Sequence, residues 1–404
     1  MGVMGIELEQ AVEVIISHTR PIEDTELLPI IQAEGRITAG DVTAAFDQPP
    51  FPRSPLDGYS FLADSVKGAS ENAPAALPVI AAVYAGEYLE QEISDGEAVK
   101  ITTGAPIPKG CNCVVRQEDV TVENGNILVR SELKAYENYC FPGEDYKKGS
   151  KLLNKGDEIH FVEMGILASA GYGQIQVYRR PRIALLVTGD ELLAPGNERL
   201  PGKIYNSNLY MLHGRLNELG MDVICAEQLK DEPVAAAKRL AEISAMADAI
   251  ITTGGVSVGE KDIFHQVLPI LGCERLFWRV RLKPGTPAMF SVLNHKPMLN
   301  LSGNPFAAAT TFELLARPML HQLAGNERLA TKRIQAVLAN GFEKESRGRR
   351  FVRAAYHNGA VKIPEIYKHA SGLLASMKGC NCLIDIQADT KCLTAGETVT
   401  VLLL

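Results

Sequence analysis

No apolar run in the sequence approaches the roughly 20 residues of a bilayer-spanning helix. The N-terminus also lacks the basic start and cleavable apolar core of a secretion signal. Gly2 is present, but Ile6 stands where a myristoylation signal wants Ser or Thr. Positive charge is not in excess either: 41 Lys and Arg face 48 Asp and Glu, a formal net charge of −7. That balance argues against general binding to nucleic acid or to an anionic membrane. The expectation is a cytoplasmic globular protein. Any anionic substrate must then be held by local Lys or Arg, by backbone N–H groups or by a metal ion.

Zinc-type cysteine spacing is missing as well. The sequence has eight cysteines, but Cys111-Asn112-Cys113 and Cys380-Asn381-Cys382 are tighter pairs than zinc fingers and ribbons use. In a strand, this spacing sets two small apolar side chains on one face, so buried structural thiols are expected.

What is present is ordinary globular composition, 46% hydrophobic and 22% charged, in 404 residues. Two to four domains are expected for that length. One stretch organises the rest: Ala249 to Asp262, with sequence AIITTGGVSVGEKD. β-branched residues, a turn with three glycines and a charged exit predict a buried strand, an anion-cradling turn and a helix start. A Walker A loop is excluded, because Gly259 is followed by Glu260, Lys261 and Asp262 rather than by Lys and Ser or Thr. The dinucleotide fingerprint G-x-G-x-x-G does not fit either.

Along the chain, the spacing of Leu8, Val12, Ile15 and Ile16 predicts an amphipathic helix, followed by a short helix from Leu27 to Ala33. Residues 46–141 predict a β-rich module, with a hairpin turning at Asn124-Gly125. Residues 1–45 and 142–180 would form a linker domain into which that module is inserted. Residues 181–326 alternate apolar strands with helical patterns, which predicts a doubly wound, mostly parallel sheet covered on both faces. Residues 327–404 return to strands and predict a small C-terminal β domain. Ligands of such parallel sheets bind beyond the carboxyl ends of the strands. The loops there are Thr188 to Glu191, Lys230 to Pro233, Gly254 to Asp262, and Ser302 to Pro305.

These loops and several others resemble the molybdopterin molybdenumtransferase family, the bacterial MoeA proteins and the E domain of gephyrin. The resemblance rests on Ser54 to Tyr59, Thr102 to Pro106, Pro142 to Asp145, Thr188 to Leu192 and Asp231-Glu232-Pro233. It continues through Gly254 to Gly259, Asp262, Lys283-Pro284-Gly285 and Gly303-Asn304-Pro305. It implies a homodimer with four domains per chain, in which the cleft lies between the sheet domain of one subunit and the β module of the other. The implied reaction takes adenylylated molybdopterin and molybdate and yields molybdenum cofactor and AMP, with Mg²⁺ required. A molybdopterin adenylyltransferase and recipient molybdoenzymes are the implied partners. A delivery protein without catalysis and a molybdopterin adenylyltransferase are the alternative functions.

The resemblance assigns catalytic roles to Asp57, Thr103, Asp145, Glu191, Asp231 and Asp262, with Glu191, Asp231 and Asp262 as metal ligands. Mg²⁺ takes one or two carboxylates and keeps several waters. Asp231 and Asp262 could equally cap helices, and Asp57 could be only a turn residue. Thr188, Gly189, Asp190, Ser207, Gly254, Gly255, Ser257, Gly259, Gly303, Asn304 and Pro305 would cradle the pterin phosphate and adenylate. Lys283, Arg350, Arg353 and Ser376 would take the oxyanion, although a solvated charge cluster is the alternative for the arginines. The sequence departs from the family pattern at Leu56, Asn206, Thr286 and Ser302, and Thr286 removes a cation near the expected oxyanion site.

Overall fold

The computed structural model describes residues 3–257, 262–365 and 369–404. The chain divides into two compact units, one of Met1–Glu26, Gly35–Ile37 and Val177–Leu404 and one of Leu27–Glu34 and Thr38–Gln176.

The first unit is built on a seven-stranded sheet. Its order is Val3–Ile6, Glu274–Val280, Met289–Leu293, Lys296–Leu301, Ala249–Thr253, Arg182–Thr188, Asp222–Leu229. The last four strands of that order are mutually parallel. Side chains alternate between two apolar layers with the two-residue period of a strand. Ile183, Leu185 and Ile251 face a layer with Leu212 and Leu216 of the Asn208–Glu218 helix and with Phe312 and Leu315. Ala184, Leu186 and Ile250 face the other, with Leu240 and Ile243 of the Pro233–Ser244 helix and Phe264 and Val267. Helices on both faces explain why these strands read as unbroken apolar runs.

Glu274–Val280 and Met289–Leu293, which pair antiparallel with each other, fell outside the sequence expectation, as did Val3–Ile6. Charged residues interrupt the first. The second joins Lys296–Leu301 through Asn294 and His295, both at positive φ (50° and 63°). That geometry suits a tight hairpin, but a turn without glycine carries a weak sequence signal. Val3–Ile6, ahead of the Leu8–Ser17 helix, is a parallel edge strand of the same sheet.

The unit also holds a closed barrel of Arg333–Leu338, Ala360–Lys362, Arg350–His357, Cys382–Ile386 and Thr398–Leu403, with its own apolar core. The second unit carries a six-stranded sheet, in the order Cys113–Arg116, Gly58–Phe61, Ala98–Ile101, Ala75–Val83, Asn126–Val129, Val120–Glu123. Its hairpin turns on Asn124 and Gly125, both at positive φ. The helix expected from Leu27 to Ala33 is instead a strand, Thr25–Pro29, and a short 3₁₀ turn, Ile30–Gln32. Pro29 removes a backbone donor, and Leu27 and Ile31 are exposed, so no apolar face remains to stabilise a helix.

The cysteine pairs are structural. Cys111, Cys113 and Cys382 are buried free thiols, and burial pushes Cys113 and Cys382 up to about 12, which keeps them protonated and inert.

Candidate functional site

From Arg182–Thr188 the chain moves to Asp222–Leu229 on one side, then crosses to Ala249–Thr253 on the other. The sheet therefore has its topological switch point between Arg182–Thr188 and Ala249–Thr253. The loops leaving those two carboxyl ends diverge and open a crevice. A cavity of about 390 Å³ lies there. Of the residues expected to cradle pterin and phosphate, Thr188, Gly189, Ser207, Gly254, Gly255, Ser257, Gly303, Asn304 and Pro305 line it, as do the carboxylates Glu191, Asp231 and Asp262. Gly259 lies outside the described residues.

The walls are tied together by side-chain amides. Asn208 Nδ2 donates to the Thr253 hydroxyl at 3.2 Å and to the Gly303 carbonyl at 2.8 Å, joining a helix start to a strand end and a loop. Asn300 Nδ2 donates to the Thr252 hydroxyl at 2.8 Å one layer below. Two buried oxygens of the wall, Thr188 Oγ1 and Asn208 Oδ1, have no hydrogen-bond partner among the described residues. Such groups are costly unless a ligand or water meets them. The Asn208–Glu218 helix starts in the same wall, where the Leu209 N–H donates to Asn206 Oδ1 at 3.2 Å, and the positive end of the helix dipole favours an anion.

Gly254 is required by contact as well as conformation. Its φ is +90°, and a Cβ there would lie 2.4 Å from the Thr188 carbonyl oxygen and 2.9 Å from Thr188 Oγ1. Asp190, expected among the binding residues, is not in the wall. Its N–H donates to Asp231 Oδ2 at 3.1 Å and its Oδ1 accepts from the Asp231 N–H at 3.3 Å, so it braces that loop from behind. Oxygen donors on separate loops suit Mg²⁺, which keeps most of its water. Among the described residues no three His, Cys, Asp or Glu side chains form a closed metal cluster.

A second cavity, about 450 Å³, shares Pro287, Ser302 and Asn304 with the first. Lys283, Lys344, Arg350, Arg353 and His369 line it, and among the described residues no carboxylate does. The arginines are not a solvated cluster: Arg353 is fully buried and Arg350 is 8% exposed. Burial holds both below the ordinary guanidinium pKa. Arg350 Nε donates to the Ser346 hydroxyl at 2.7 Å. Arg353 donates to the Leu373 and Ala370 carbonyls at 3.0 and 3.1 Å, and its guanidinium lies 4.0 Å from the Phe306 ring centre. Much of its bonding capacity thus braces residues 370–373. Ser376, expected beside this patch, donates to the Leu373 carbonyl at 2.8 Å and is not in the wall.

Asp57, Thr103 and Asp145 belong to the second unit. Asp57 Oδ1 accepts from the Thr103 N–H at 2.7 Å and from its hydroxyl at 2.8 Å, and these two bonds hold the carboxyl below its ordinary pKa. Replacing Thr103 with Val deletes the hydroxyl donor alone. The Asp57 titration should then move upward in carbon-detected NMR, and an unmoved midpoint would contradict this role. Asp145 lies in an exposed turn, its N–H donating to the Gln48 carbonyl at 2.9 Å.

Sequence reasoning did not single out Asn208, Lys344 or His369. Asn208 follows Ser207 at a helix start and was recoverable from that position. Lys344 and His369 stand in irregular loops with no motif around them.

Comparison with known proteins gives the family. Residues 6–171 match the MoeA N-terminal region (domain I and II), residues 184–322 a probable molybdopterin binding domain, and residues 335–404 the MoeA C-terminal region (domain IV). A molybdopterin molybdenumtransferase of Bacillus subtilis (strain 168) is 33% identical over 395 residues, 96% of this chain and 92% of that protein. That of Staphylococcus aureus (strain COL) is 31% identical over 408 residues, 99% and 97% of the two chains. A solved structure of a molybdopterin biosynthesis moea protein from Pyrococcus horikosii has a TM-score of 0.86 at 30% identity, covering 99% of each chain. No helix among the described residues is long and apolar enough to cross a membrane. Matched from end to end in sequence and in fold, the chain belongs to the molybdopterin molybdenumtransferase family.

Proposed function

We propose that the chain inserts molybdate into adenylylated molybdopterin, releasing AMP and molybdenum cofactor. The observation that carries this is the adjoining of two cavities of opposite character through Pro287, Ser302 and Asn304. One offers glycine turns, hydroxyls, a helix start and three carboxylates. The other is cationic, with no carboxylate among the described residues that line it. A phosphorylated pterin with its adenylate suits the first, and a tetrahedral oxyanion suits the second, so the two reactants meet at the shared wall. Holding them in that geometry removes much of the entropic part of the barrier.

Glu191, Asp231 and Asp262 would hold Mg²⁺, which when bound offsets phosphate charge that these acids would otherwise repel. Thr188, Ser207, Asn208 and the turn at Gly254 orient the pterin phosphate and adenylate. Lys283, Lys344 and Arg350 hold the oxyanion, while Arg353 keeps residues 370–373 in place. Asp57, Thr103 and Asp145 act as further catalytic groups, contributed in a homodimer by the β module of a second copy. With this goes the four-part domain plan of residues 1–45 with 142–180, 46–141, 181–326 and 327–404, although Val3–Ile6 pairs with a strand of the sheet domain. The protein is read as cytoplasmic, with a molybdopterin adenylyltransferase supplying its substrate and molybdoenzymes receiving its product. The delivery-only and adenylyltransferase readings are not favoured, because the relatives that match nearly the whole chain are molybdenumtransferases.

Arg350→Ala tests the division of labour. Loss of one charged hydrogen-bonding group should weaken molybdate binding by roughly ten- to a hundredfold in equilibrium dialysis. Affinity for a pterin or adenylate ligand should be unchanged. Molybdate binding at wild-type strength would contradict the assignment of the second cavity.

A further inference from the structure

Among the groups lining the second cavity, His369 alone changes charge near neutral pH. Its Nδ1 is buried and has no hydrogen-bond partner among the described residues. Its ring meets that of Phe342 edge-on, with centres 5.3 Å apart and planes at 78°. Among the described residues, the charged groups lining the cavity with it are cationic: Arg350 and Arg353 from the Arg350–His357 strand, Lys344 from the preceding loop, and Lys283 across the cavity.

We propose that His369 is the proton-coupled member of this oxyanion cavity. It stays neutral while no anion is bound and takes one proton from solvent as a tetrahedral dianion enters, so that it meets the anion as an imidazolium donor. The inference rests on the second cavity being the oxyanion site. The physical reason is electrostatic. Another positive charge beside Lys344, Arg350 and Arg353 is unfavourable until a dianion outweighs the repulsion. In support, burial first, then the charges of Arg353, Lys344 and Arg350, hold the His369 pKa below the ordinary imidazole value. A bound dianion reverses the charge part of that balance and raises the pKa.

The sign of the linkage follows. Above the bound-state pKa the histidine is neutral in both states and affinity does not depend on pH. As pH falls through the bound-state pKa, affinity rises, approaching tenfold per unit at full coupling, and it levels off below the free-state pKa. The effect is a site that takes oxyanion more tightly in mildly acidic conditions.

The test is equilibrium dialysis of the whole protein with molybdate, and separately with sulfate, between about pH 6 and about pH 8. Neither anion changes its own charge at low concentration in that range. For the wild type, affinity for molybdate should rise by roughly tenfold towards the acid end. His369→Gln should keep weak binding and lose the slope. His369→Lys should bind at the acid-end strength throughout, again without slope. The idea is overturned if His369→Gln keeps the wild-type slope, or if the wild type has none. Should Arg350→Ala also leave molybdate binding untouched, the assignment of the cavity itself fails, which separates the two failures.

Discussion

Asp262→Asn is expected to bind the adenylylated pterin as the wild type does, yet to release AMP on the order of a thousandfold more slowly. Asn keeps the size and one oxygen of Asp but loses the charge. Asp262 lies in the wall of the pterin-side cavity together with Glu191 and Asp231. In the proposed reaction these acids hold the divalent cation that offsets charge on the cleaved phosphate. Lewis-acid stabilisation of that kind contributes several kcal/mol to a transition state, which converts to the expected factor. Glycines, hydroxyls and amides that orient the pterin are untouched, so affinity should stay within about threefold by calorimetry. Asp231→Asn should behave in the same way. If both variants turn over at the wild-type rate, the two acids only cap helices or brace loops, and the mechanism is wrong.

Gly254→Ala should damage both the fold of the site and its activity. The added Cβ would sit 2.4 Å from the Thr188 carbonyl oxygen, on backbone at φ +90°. Thr188 ends one of the two strands at the switch point, so neither side can yield without moving a cavity wall. Positive φ costs a non-glycine residue about 1–2 kcal/mol before any clash is counted. Overpacking adds a further 1–3 kcal/mol or so. A fall in melting temperature of about 5 °C or more is expected for the sheet unit. Displacing the wall by about 1 Å is enough to cost on the order of a hundredfold in turnover. Gly35→Ala offers a control, since it has positive φ but nothing within 4 Å of a Cβ. Equal loss in both variants would assign the effect to backbone strain alone.

The reason some of this was legible in the sequence is local. Buried parallel strands are apolar without interruption, and the turns that follow them need glycine, so Ala249–Thr253 and its Gly254-Gly255 turn declared themselves together. The rule that ligands sit beyond the carboxyl ends of such strands then brought the loops at Thr188, Asp231 and Ser302 to the same rim. What was not legible depends on tertiary context. The hairpin at Asn294 and His295 uses positive φ without glycine, and its first strand, Met289–Leu293, went unseen. Arg353 reads as one more charge in a basic stretch, yet among the described residues it is the largest fully buried side chain, occupied by two carbonyls and an aromatic face. Its role in bracing residues 370–373 requires the fold. His369 and Lys344 carry no motif, and only the closed barrel brings their loops beside Arg350. Asp190 and Ser376, singled out from nearby motifs, do not line either cavity: their bonds run to the Asp231 loop and to the Leu373 carbonyl.

Release of AMP by the purified whole protein, given adenylylated molybdopterin and a divalent cation with and without molybdate, addresses the joining of the two cavities most directly. The account predicts release that rises to one AMP per bound pterin when molybdate is added, and that Arg350→Ala shifts to higher molybdate concentration. Release indifferent to molybdate, or none with all three components present, would mean that the cationic cavity and the glycine-lined cavity do not serve one reaction.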